Sequence, residues 1–266
     1  MLNIKAQYPK RIICLTEEFT ETLYLLGRED LIVGISGFTV RPPQARKTKP
    51  KVCTFIEANY EKIYSLKPDL IFAFSDLQAE IVKELIKNGM NVFCFNQRSV
   101  EDILSMMRMI GAVIGENKKA EKLVNSIQKK LEIIYKVSQK IKKKPKVYFE
   151  EWDEPMISGI QWVEEIIEIC GGETIFPELR RCSLAKDRFV KSEDIIERNP
   201  DIILASWCGK GVKINKIRSR LGWESINAVK NNKIYEIKSS VILQPGPASL
   251  TDGVKIIYEI IQSHIS

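Results

Sequence analysis

The chain has 266 residues, of which 44% are hydrophobic and 28% charged, and its formal net charge at pH 7 is +7. This composition is typical of an ordinary globular protein, and the length exceeds one average domain. A single histidine and scattered cysteines without a C-x-x-C pair argue against Ser-His-Asp catalysis, multi-histidine metal centres and zinc sites.

No apolar run approaches the ~20 residues that span a bilayer, and no basic stretch followed by an apolar one opens the sequence. We therefore expect no secretion signal in the sequence given, so a cytoplasmic location stays open beside a periplasmic one. Basic runs at 41–51 and 140–146 lack interleaved aromatic residues, so we expect a solvated surface and no nucleic-acid partner. A disulfide between Cys170 and Cys182 is an alternative, but we expect both to be reduced thiols.

The first half of the chain alternates predicted helices and strands. Residues 21–36 predict an amphipathic helix that Gly27 ends before an extended segment, and residues 81–95 predict a helix, an Asn-Gly stop and a strand. Between them, EKIYSLKPDLIFA (61–73) predicts a short helix that ends before Pro68, because the residue before a proline avoids the α conformation. The apolar run that follows is suited to a parallel strand buried on both faces.

Residues 118–144 contain neither proline nor glycine and carry apolar side chains at helical spacing. They predict one helix of roughly 40 Å, at about 1.5 Å per residue. We expect this helix to be a stiff strut between two lobes; an ordinary packing helix is the alternative.

The second half repeats the first. EDIIERNPDIILA (193–205) shares the pattern E-x-I-x-x-x-x-P-D-[LI]-I-x-A with residues 61–73, and residues 164–178 and 224–237 repeat the order of helix, stop and extended segment. The predicted fold class is therefore α/β, with two Rossmann-like lobes of mainly parallel sheet joined by a single long helix. The expected boundaries are 1–116, 117–144 and 145–266. Ligands bind beyond the carboxyl ends of the strands in such sheets, so we expect a ligand cleft between the lobes, walled by the loops at 74–78 and 206–210.

The stretch KVYFEEWDEPMISGIQW (146–162) combines four acids with two tryptophans. As a strand it would turn Tyr148 and Glu150 outward, and its alternation would separate Glu150 from Glu151. A carboxylate-dependent hydrolase using this cluster is an alternative, but no motif supplies a second acid at the required distance. The favoured interpretation is a cleft wall, in which Trp152 stacks on a flat ligand and Glu151 binds one of its polar edges.

Four other rings have candidate roles. Trp162 has even odds of being cleft or core, whereas Trp207 ends a predicted strand at the cleft rim and is expected to contact the ligand. Trp223 is expected to anchor a helix to its lobe, and Phe38 to lie near the cleft mouth.

Five segments, in order, carry a resemblance to a known family: RIICLTEEFTETLYLLG with LIVGISGFT, KPDLIFAF, KVYFEEWDEPMISGIQWVEEIIEICGGETIF, SEDIIERNPDIILAS, and RLGWESINAVKNNKIYEI. In this order, with a lysine-rich helix between them, they resemble the helical-hinge substrate-binding proteins of ABC importers. The similarity is closest to the cobalamin-binding branch of the iron-siderophore and vitamin B12 family, and it covers nearly the whole chain.

The resemblance implies a non-catalytic protein without a required cofactor that captures a corrinoid or related planar ligand and docks on ABC transporter membrane subunits. A monomer is expected only by default. Glu80 and Glu193 match the docking acids of the family, with solvated helix acids as the alternative. Ser240 and Gln244 stand where cobalamin binders often carry an acid and an arginine, so a siderophore-type ligand and cytosolic carriage remain alternatives. The expected ligand-binding residues are Thr16, Glu17, Glu18, Phe38, Phe74, Ser75, Glu151, Trp152, Met156, Trp162, Trp207 and Gln244.

Overall fold

A computed structural model describes residues 6–265, and the chain within it divides into two compact units. The first unit comprises the chain up to Gln97 together with Glu101–Ser126; the second comprises Arg98–Val100 and the chain from Ile127 onward. The opening residues through position 5 lie outside the described part, and the expected absence of a secretion signal falls partly on them.

The first unit is built on a parallel sheet in the order β3-β2-β1-β4-β5. Its strands are β1 (Ile12–Cys14), β2 (Ile32–Ser36), β3 (Lys51–Cys53), β4 (Leu70–Phe74) and β5 (Val92–Phe95). Along the chain run the helices α1 (Glu17–Leu25), α2 (Pro43–Thr48), α3 (Tyr60–Ser65), α4 (Ala79–Lys87), α5 (Val100–Val113) and α6 (Asn117–Ser138).

The second unit has a mixed sheet in the order β10-β9-β6-β7, with β8 paired to β6. Its strands are β6 (Lys146–Asp153), β7 (Met156–Ser158), β8 (Glu173–Thr174), β9 (Ile202–Ala205) and β10 (Ile234–Glu236), and only the β6–β7 pair is antiparallel. Its helices are α7 (Gln161–Ile169), α8 (Ser192–Arg198), α9 (Ile214–Arg218), α10 (Asn227–Lys230), α11 (Ser239–Ile242) and α12 (Val254–Ile265), the last preceded by a π-helical turn, Ser249–Gly253.

The internal repeat is confirmed as a helix–strand unit that occurs once in each sheet. Helix α3 precedes β4 and helix α8 precedes β9, and every residue of both strands is buried. The predicted stops also hold, because Gly27 and Gly171 follow α1 and α7 with positive φ angles of 65° and 98°.

The expectation that Tyr148 and Glu150 point outward from their strand is wrong. Strand β6 pairs with β9 on one side and with β7 and β8 on the other, so it lies inside the sheet. Tyr148 is fully buried in the core of the second unit and Glu150 is fully buried as well. Parallel interior strands are covered on both faces, so alternation predicts which face a residue occupies but not its exposure.

The predicted helix at 118–144 is too long, because α6 ends at Ser138. The Ser138 hydroxyl donates to the carbonyls of Tyr135 and Ile169, which ties the end of the helix to the end of α7. Beyond it, lysines crowd the chain up to Pro145, which disfavours the α conformation of Lys144. The helix is therefore about 33 Å long, at about 1.5 Å per residue, and the boundary between the units falls within it. Its role as a strut stays a prediction.

Three smaller points concern the last helix, the cysteines and membrane spans. Helix α12 continues through His264 to Ile265. Cys170 and Cys182 are both free in this structure. None of the helices in residues 6–265 has the length and apolar character that a membrane span requires.

The close contact of α5 with α6 generates a prediction. A Cβ added to Gly111 would lie 2.2 Å from the Cβ of Ala120. Gly111→Ala should therefore lower the free energy of unfolding by roughly 1–3 kcal/mol through overpacking, although alanine alone favours a helix by about 1 kcal/mol over glycine. Urea denaturation measures this change.

The matched variant is Gly111→Ala/Ala120→Gly, which removes the clashing methyl group. It should recover stability relative to the sum of the two single substitutions, giving a coupling energy in a double-mutant cycle. A Gly111→Ala protein as stable as the parent would contradict the tight packing.

Candidate functional site

The carboxyl edge of the first sheet gathers polar side chains from the ends of its strands. Thr16, Glu17 and Glu18 follow β1, and Gln97 follows β5. One Glu18 carboxylate oxygen accepts from the Thr16 hydroxyl at 2.7 Å and from the Gln97 amide at 3.4 Å. The sequence indicated Thr16, Glu17 and Glu18 as ligand-binding candidates, which stays a prediction, and it contained no signal for Gln97.

The two adjacent acids of this edge are buried without a cationic partner in hydrogen-bond contact. Glu18 is 1% exposed, and the second carboxylate oxygen of each of Glu17 and Glu18 has no hydrogen-bond partner among the described residues. Burial, reinforced by mutual repulsion, raises the pKa of Glu17 to about 8; burial also raises the pKa of Glu18 to about 7 against its hydrogen bond from Thr16. Unsatisfied buried carboxyl groups are uncommon in proteins and mark candidate functional positions.

A buried glutamine holds the strand ends of this edge together. The Gln78 side chain accepts from the Phe74 backbone N–H at 3.0 Å and donates to the carbonyls of Leu15 and Phe55. Glutamine gave no signal in the sequence, because its role depends on three backbone groups that only the fold brings together.

The other predicted residues of this edge differ in accessibility. Phe38, beyond β2, is 50% exposed, whereas Phe74 at the end of β4 is buried. Ser75 has φ 58° and ψ −179°, a conformation almost confined to glycine, and its hydroxyl accepts from the Leu77 N–H. Such a strained non-glycine residue requires support from its surroundings and is typical of functional loops.

In the second unit, Glu150 is the centre of a buried ion pair. Both Glu150 oxygens bind Arg220, one of them at 3.0 Å. The same carboxylate accepts from the Trp207 indole N–H at 3.1 Å and from the Tyr148 hydroxyl at 3.4 Å. A bidentate guanidinium with added hydrogen bonds is the arrangement that compensates a fully buried carboxylate.

Glu151 lies where the register of β6 with β7 shifts, and it has its own arginine. Arg188, itself 1% exposed, donates to both Glu151 oxygens at 2.6 and 3.1 Å and also to the Ser158 carbonyl. Glu150 and Glu151 therefore bind different arginines and do not form a pair. Glu151 is already held by protein, and its expected contact with a ligand stays a prediction.

At the end of β6, Trp152 and Asp153 meet two lysines. The Lys210 ammonium lies 3.8 Å from the centroid of the Trp152 ring and 2.6 Å from Asp153, and Lys216 binds the other Asp153 oxygen at 2.7 Å. Burial alone would raise the pKa of Asp153, but the two lysines outweigh it and lower the pKa to about 2. This edge therefore presents a half-buried ring beside cationic groups.

The other predicted residues of the second unit lie mostly in its hydrophobic core or pack against it. Of the two alternatives for Trp162, cleft or core, the structure shows core. The side chain is buried, and its indole N–H donates to the Ile242 carbonyl at 2.8 Å. Trp207 is 1% exposed and belongs to the hydrophobic core, as does Trp223, so ligand contact by Trp207 stays a prediction. Met156 packs against that core and Gln244, after α11, is half-buried.

Three of the four acids at 150–154 are held by basic side chains and are not free to act as a glycosidase pair. Glu150, Glu151 and Asp153 each bind a basic side chain, and the lowered pKa of Asp153 opposes a role as general acid. Among residues 6–265, no cluster of His, Cys, Asp or Glu has the arrangement of a metal site.

The two predicted docking acids lie at different places in the internal repeat, since Glu193 aligns with Glu61 and not with Glu80. Glu80 is in the first turn of α4, which follows β4, and Glu193 is in the first turn of α8, which leads into β9. Both helices therefore begin at the carboxyl edge of their own sheet. Both side chains are exposed, and Glu80 makes only a local ion pair with Lys83.

The sequence missed the three basic partners, Arg188, Lys210 and Arg220. They stand 37, 57 and 70 positions from Glu151, Asp153 and Glu150 respectively. Of these three residues, the sequence indicated only Lys210, because it is the last residue of the loop at 206–210 that was expected to line the ligand cleft.

Comparison with known proteins identifies relatives along most of the chain. An uncharacterised ABC transporter substrate-binding lipoprotein, YvrC, of Bacillus subtilis is 30% identical over 265 residues, covering 94% of this chain and 79% of the relative. A vitamin B12-binding protein of Vibrio cholerae is 26% identical over 246 residues, with 91% and 85% covered. A solved structure of a possible iron-binding, periplasmic solute-binding protein from Staphylococcus epidermidis has a TM-score of 0.81 at 27% identity, with 96% and 99% covered.

A family model supplies the remaining evidence. The model described as periplasmic binding protein matches residues 12–241, which include both sheets and both carboxyl edges. The resemblance seen in the sequence is confirmed, and the family is one of solute-binding proteins rather than enzymes, so the hydrolase alternative has no support. This chain belongs to the periplasmic binding protein family.

Proposed function

We propose that this protein captures a corrinoid or a related planar ligand at the carboxyl edges of its two sheets, for delivery to an ABC importer. The observation that carries the proposal is that each edge presents one accessible ring, Phe38 or Trp152, beside polar groups held in place by hydrogen bonds. Aromatic faces bind flat apolar surfaces, and a few fixed polar groups orient the ligand. The vitamin B12-binding relative from Vibrio cholerae supports this ligand class.

The two carboxyl groups of the first edge suit a ligand with peripheral amides. Glu17 and Glu18 each have one oxygen without a partner, and the amide N–H groups of a corrinoid are donors. Thr16 and Gln97 hold Glu18 in a single orientation, which reduces the entropy lost on binding.

A siderophore-type ligand is the second candidate, and Lys210 favours it. This ammonium lies over Trp152, so an anionic iron chelate would meet a cation and a ring together. The possible iron-binding relative from Staphylococcus epidermidis supports the same alternative.

The first prediction concerns the rings. Titration with cyanocobalamin and cobinamide in a calorimeter should show 1:1 binding, and Phe38→Ala and Trp152→Ala should each weaken it by roughly tenfold, the equivalent of about 1.4 kcal/mol. Tyr135→Ala is the matched control, because Tyr135 is equally exposed but lies on α6.

If neither corrinoid binds, the corrinoid proposal fails. Binding of a ferric catecholate siderophore, whose iron complex is anionic, would then establish the second candidate if it is lost in Lys210→Ala. If Tyr135→Ala weakens ligand binding as much as the other two variants do, the losses come from a disturbed fold and not from lost contacts between ring and ligand.

The second prediction follows from the raised pKa of Glu17, about 8 in the folded protein against an ordinary value of 4.5. Between these values the folded state holds more protons than the unfolded state, so this group makes the free energy of unfolding fall as pH rises. Glu17→Gln removes the effect and should be more stable than the parent at pH 9, by on the order of a few kcal/mol, with the advantage largely gone at pH 4. Thermal and urea unfolding across this range measure it.

Glu57→Gln is the control, since Glu57 is an exposed acid of the same unit. Its stability relative to the parent should not vary with pH. A Glu17→Gln protein that is less stable than the parent at pH 9 would show that the Glu17 charge is compensated.

The third prediction concerns delivery. Glu80→Lys/Glu193→Lys should leave ligand affinity unchanged but reduce ligand uptake by roughly tenfold or more in cells that depend on this protein, because reversed charges repel a basic docking surface. Glu197→Lys is the control, one turn further along α8 and also exposed. Normal uptake by the double variant would favour a carrier that hands its ligand to a different partner.

A further inference from the structure

A cavity of about 680 Å³ lies at the opposite edge of the second sheet from the ring and the lysines near Asp153. It occupies the place where α6 has ended, where β6 and β9 begin, and where α12 ends. Its volume is within the range of small-molecule sites, about 300–1,000 Å³. We name it the lysine cavity and define it by its lining: Val137, residues 140–145, Asp201, Gln262, His264 and Ile265.

The charge of the lysine cavity is strongly unbalanced. Four of its residues are lysines, at positions 140, 142, 143 and 144. Among residues 6–265, none of these ammonium groups has a carboxylate within ion-pair distance or a hydrogen-bond acceptor. Four like charges within five positions repel one another, and an anion in the cavity would relieve that repulsion.

The one acid of the lining is used for a different purpose. Asp201 accepts from the Lys146 backbone N–H at 3.0 Å and from the Asn227 side-chain amide at 3.1 Å. Its carboxylate therefore fixes the start of β6 and does not neutralise the four lysines.

The internal repeat shows that the four lysines exceed what the fold requires. In the first unit, Asp69 likewise accepts from the backbone N–H groups of Lys10 and Arg11 before β1. The Arg11 side chain donates to carbonyls at the end of α3, and the Lys146 side chain donates to the Arg198 carbonyl at the end of α8. One acid and one basic side chain perform the structural task in each unit, and the lysines at 140–144 take no part in it.

The lining also contains an unsatisfied imidazole and apolar walls. The Nδ1 atom of His264 is buried and has no partner among the described residues. Val137 and Ile265 are 43% and 40% exposed, and Ile141 and Pro145 complete the apolar surface. Cations beside exposed aliphatic groups match a ligand that has an anionic head and an apolar part.

We propose that the lysine cavity binds the phosphate group of an anionic amphiphile, with the lysines on the phosphate and the aliphatic walls on the apolar part. Lysine ammonium groups bind phosphate as point charges and need no fixed fork geometry, which suits a non-helical segment with three consecutive lysines. The same chemistry is available from a free lysophospholipid and from a phospholipid headgroup in a bilayer.

The test uses the whole protein and three probes. Lysophosphatidate is titrated below its micellar concentration, glycerol 3-phosphate is titrated as the headgroup without an apolar part, and vesicles of phosphatidylcholine with and without about 20 mol% phosphatidate are sedimented with the protein. We expect lysophosphatidate to bind at least roughly tenfold more tightly than glycerol 3-phosphate, because only lysophosphatidate fills the apolar walls. If the protein sediments with phosphatidate vesicles but does not bind free lysophosphatidate, the phosphate group that it recognises is that of a phospholipid in a bilayer.

The decisive variants are matched in charge. Lys142→Ala/Lys143→Ala/Lys144→Ala should lose roughly tenfold or more in affinity, whereas Lys122→Ala/Lys129→Ala/Lys130→Ala, which removes three exposed lysines of α6 outside the cavity, should change it less than about twofold. Val137→Asp places an acid in the exposed apolar wall and should also abolish binding without unfolding the protein.

Absence of binding in every arm overturns the proposal. So does an equal loss in the two triple variants, since it would show attraction by net charge alone. Failure of these experiments leaves the corrinoid proposal untouched, because the corrinoid titration involves residues at the other edge of the sheet.

Discussion

The burial of parallel strands on both faces is the constraint on which the rest of this structure depends. β4 and β9 have no exposed residue, and β6 is buried from Val147 to Glu150. Strands covered in this way leave only their ends for polar chemistry. Predicted and newly found polar residues alike therefore gather where strands begin or end.

The buried acids of the two carboxyl edges have different kinds of partners. In the second unit, Glu150 is held by Arg220, with Trp207 and Tyr148 as additional donors. In the first unit, the donors to Glu18 among the described residues are the neutral Thr16 and Gln97, and burial raises the pKa of Glu18. The first edge thus presents carboxyl groups with raised pKa values, which accept and, when protonated, also donate hydrogen bonds, whereas the second edge combines a ring with ammonium groups.

Comparison of the two copies of the internal repeat distinguishes the charged side chains of the second unit that stabilise the fold from those that do not. Asp69 and Asp201 perform the same task at the start of a strand, as do the side chains of Arg11 and Lys146 at the end of a helix. Against this background, the consecutive lysines beyond α6 have no counterpart among residues 6–11, the described residues before β1. Their cost in repulsion is the physical reason to assign them a ligand.

The sequence by itself determined the fold class, the repeat and the order of helices and strands, because helical and strand periodicity, proline positions and glycine stops are local properties. The family resemblance and the sequence pattern also marked Thr16, Glu17, Phe38 and Trp152 as candidate ligand-binding residues, and the structure places them at or just beyond strand ends. Only the tertiary structure decided that Glu150 is buried rather than outward, that Trp162 is core, and that α6 ends at Ser138.

The reason is the distance along the chain between interacting groups. Arg220, Lys210 and Arg188 reach their acids across 70, 57 and 37 positions, and the carbonyl of Ile169 that holds Ser138 is 31 positions away. No local pattern encodes such contacts, because they depend on which strands become neighbours in the sheet. The sequence therefore determined where strands end, and the fold decided which charges meet there.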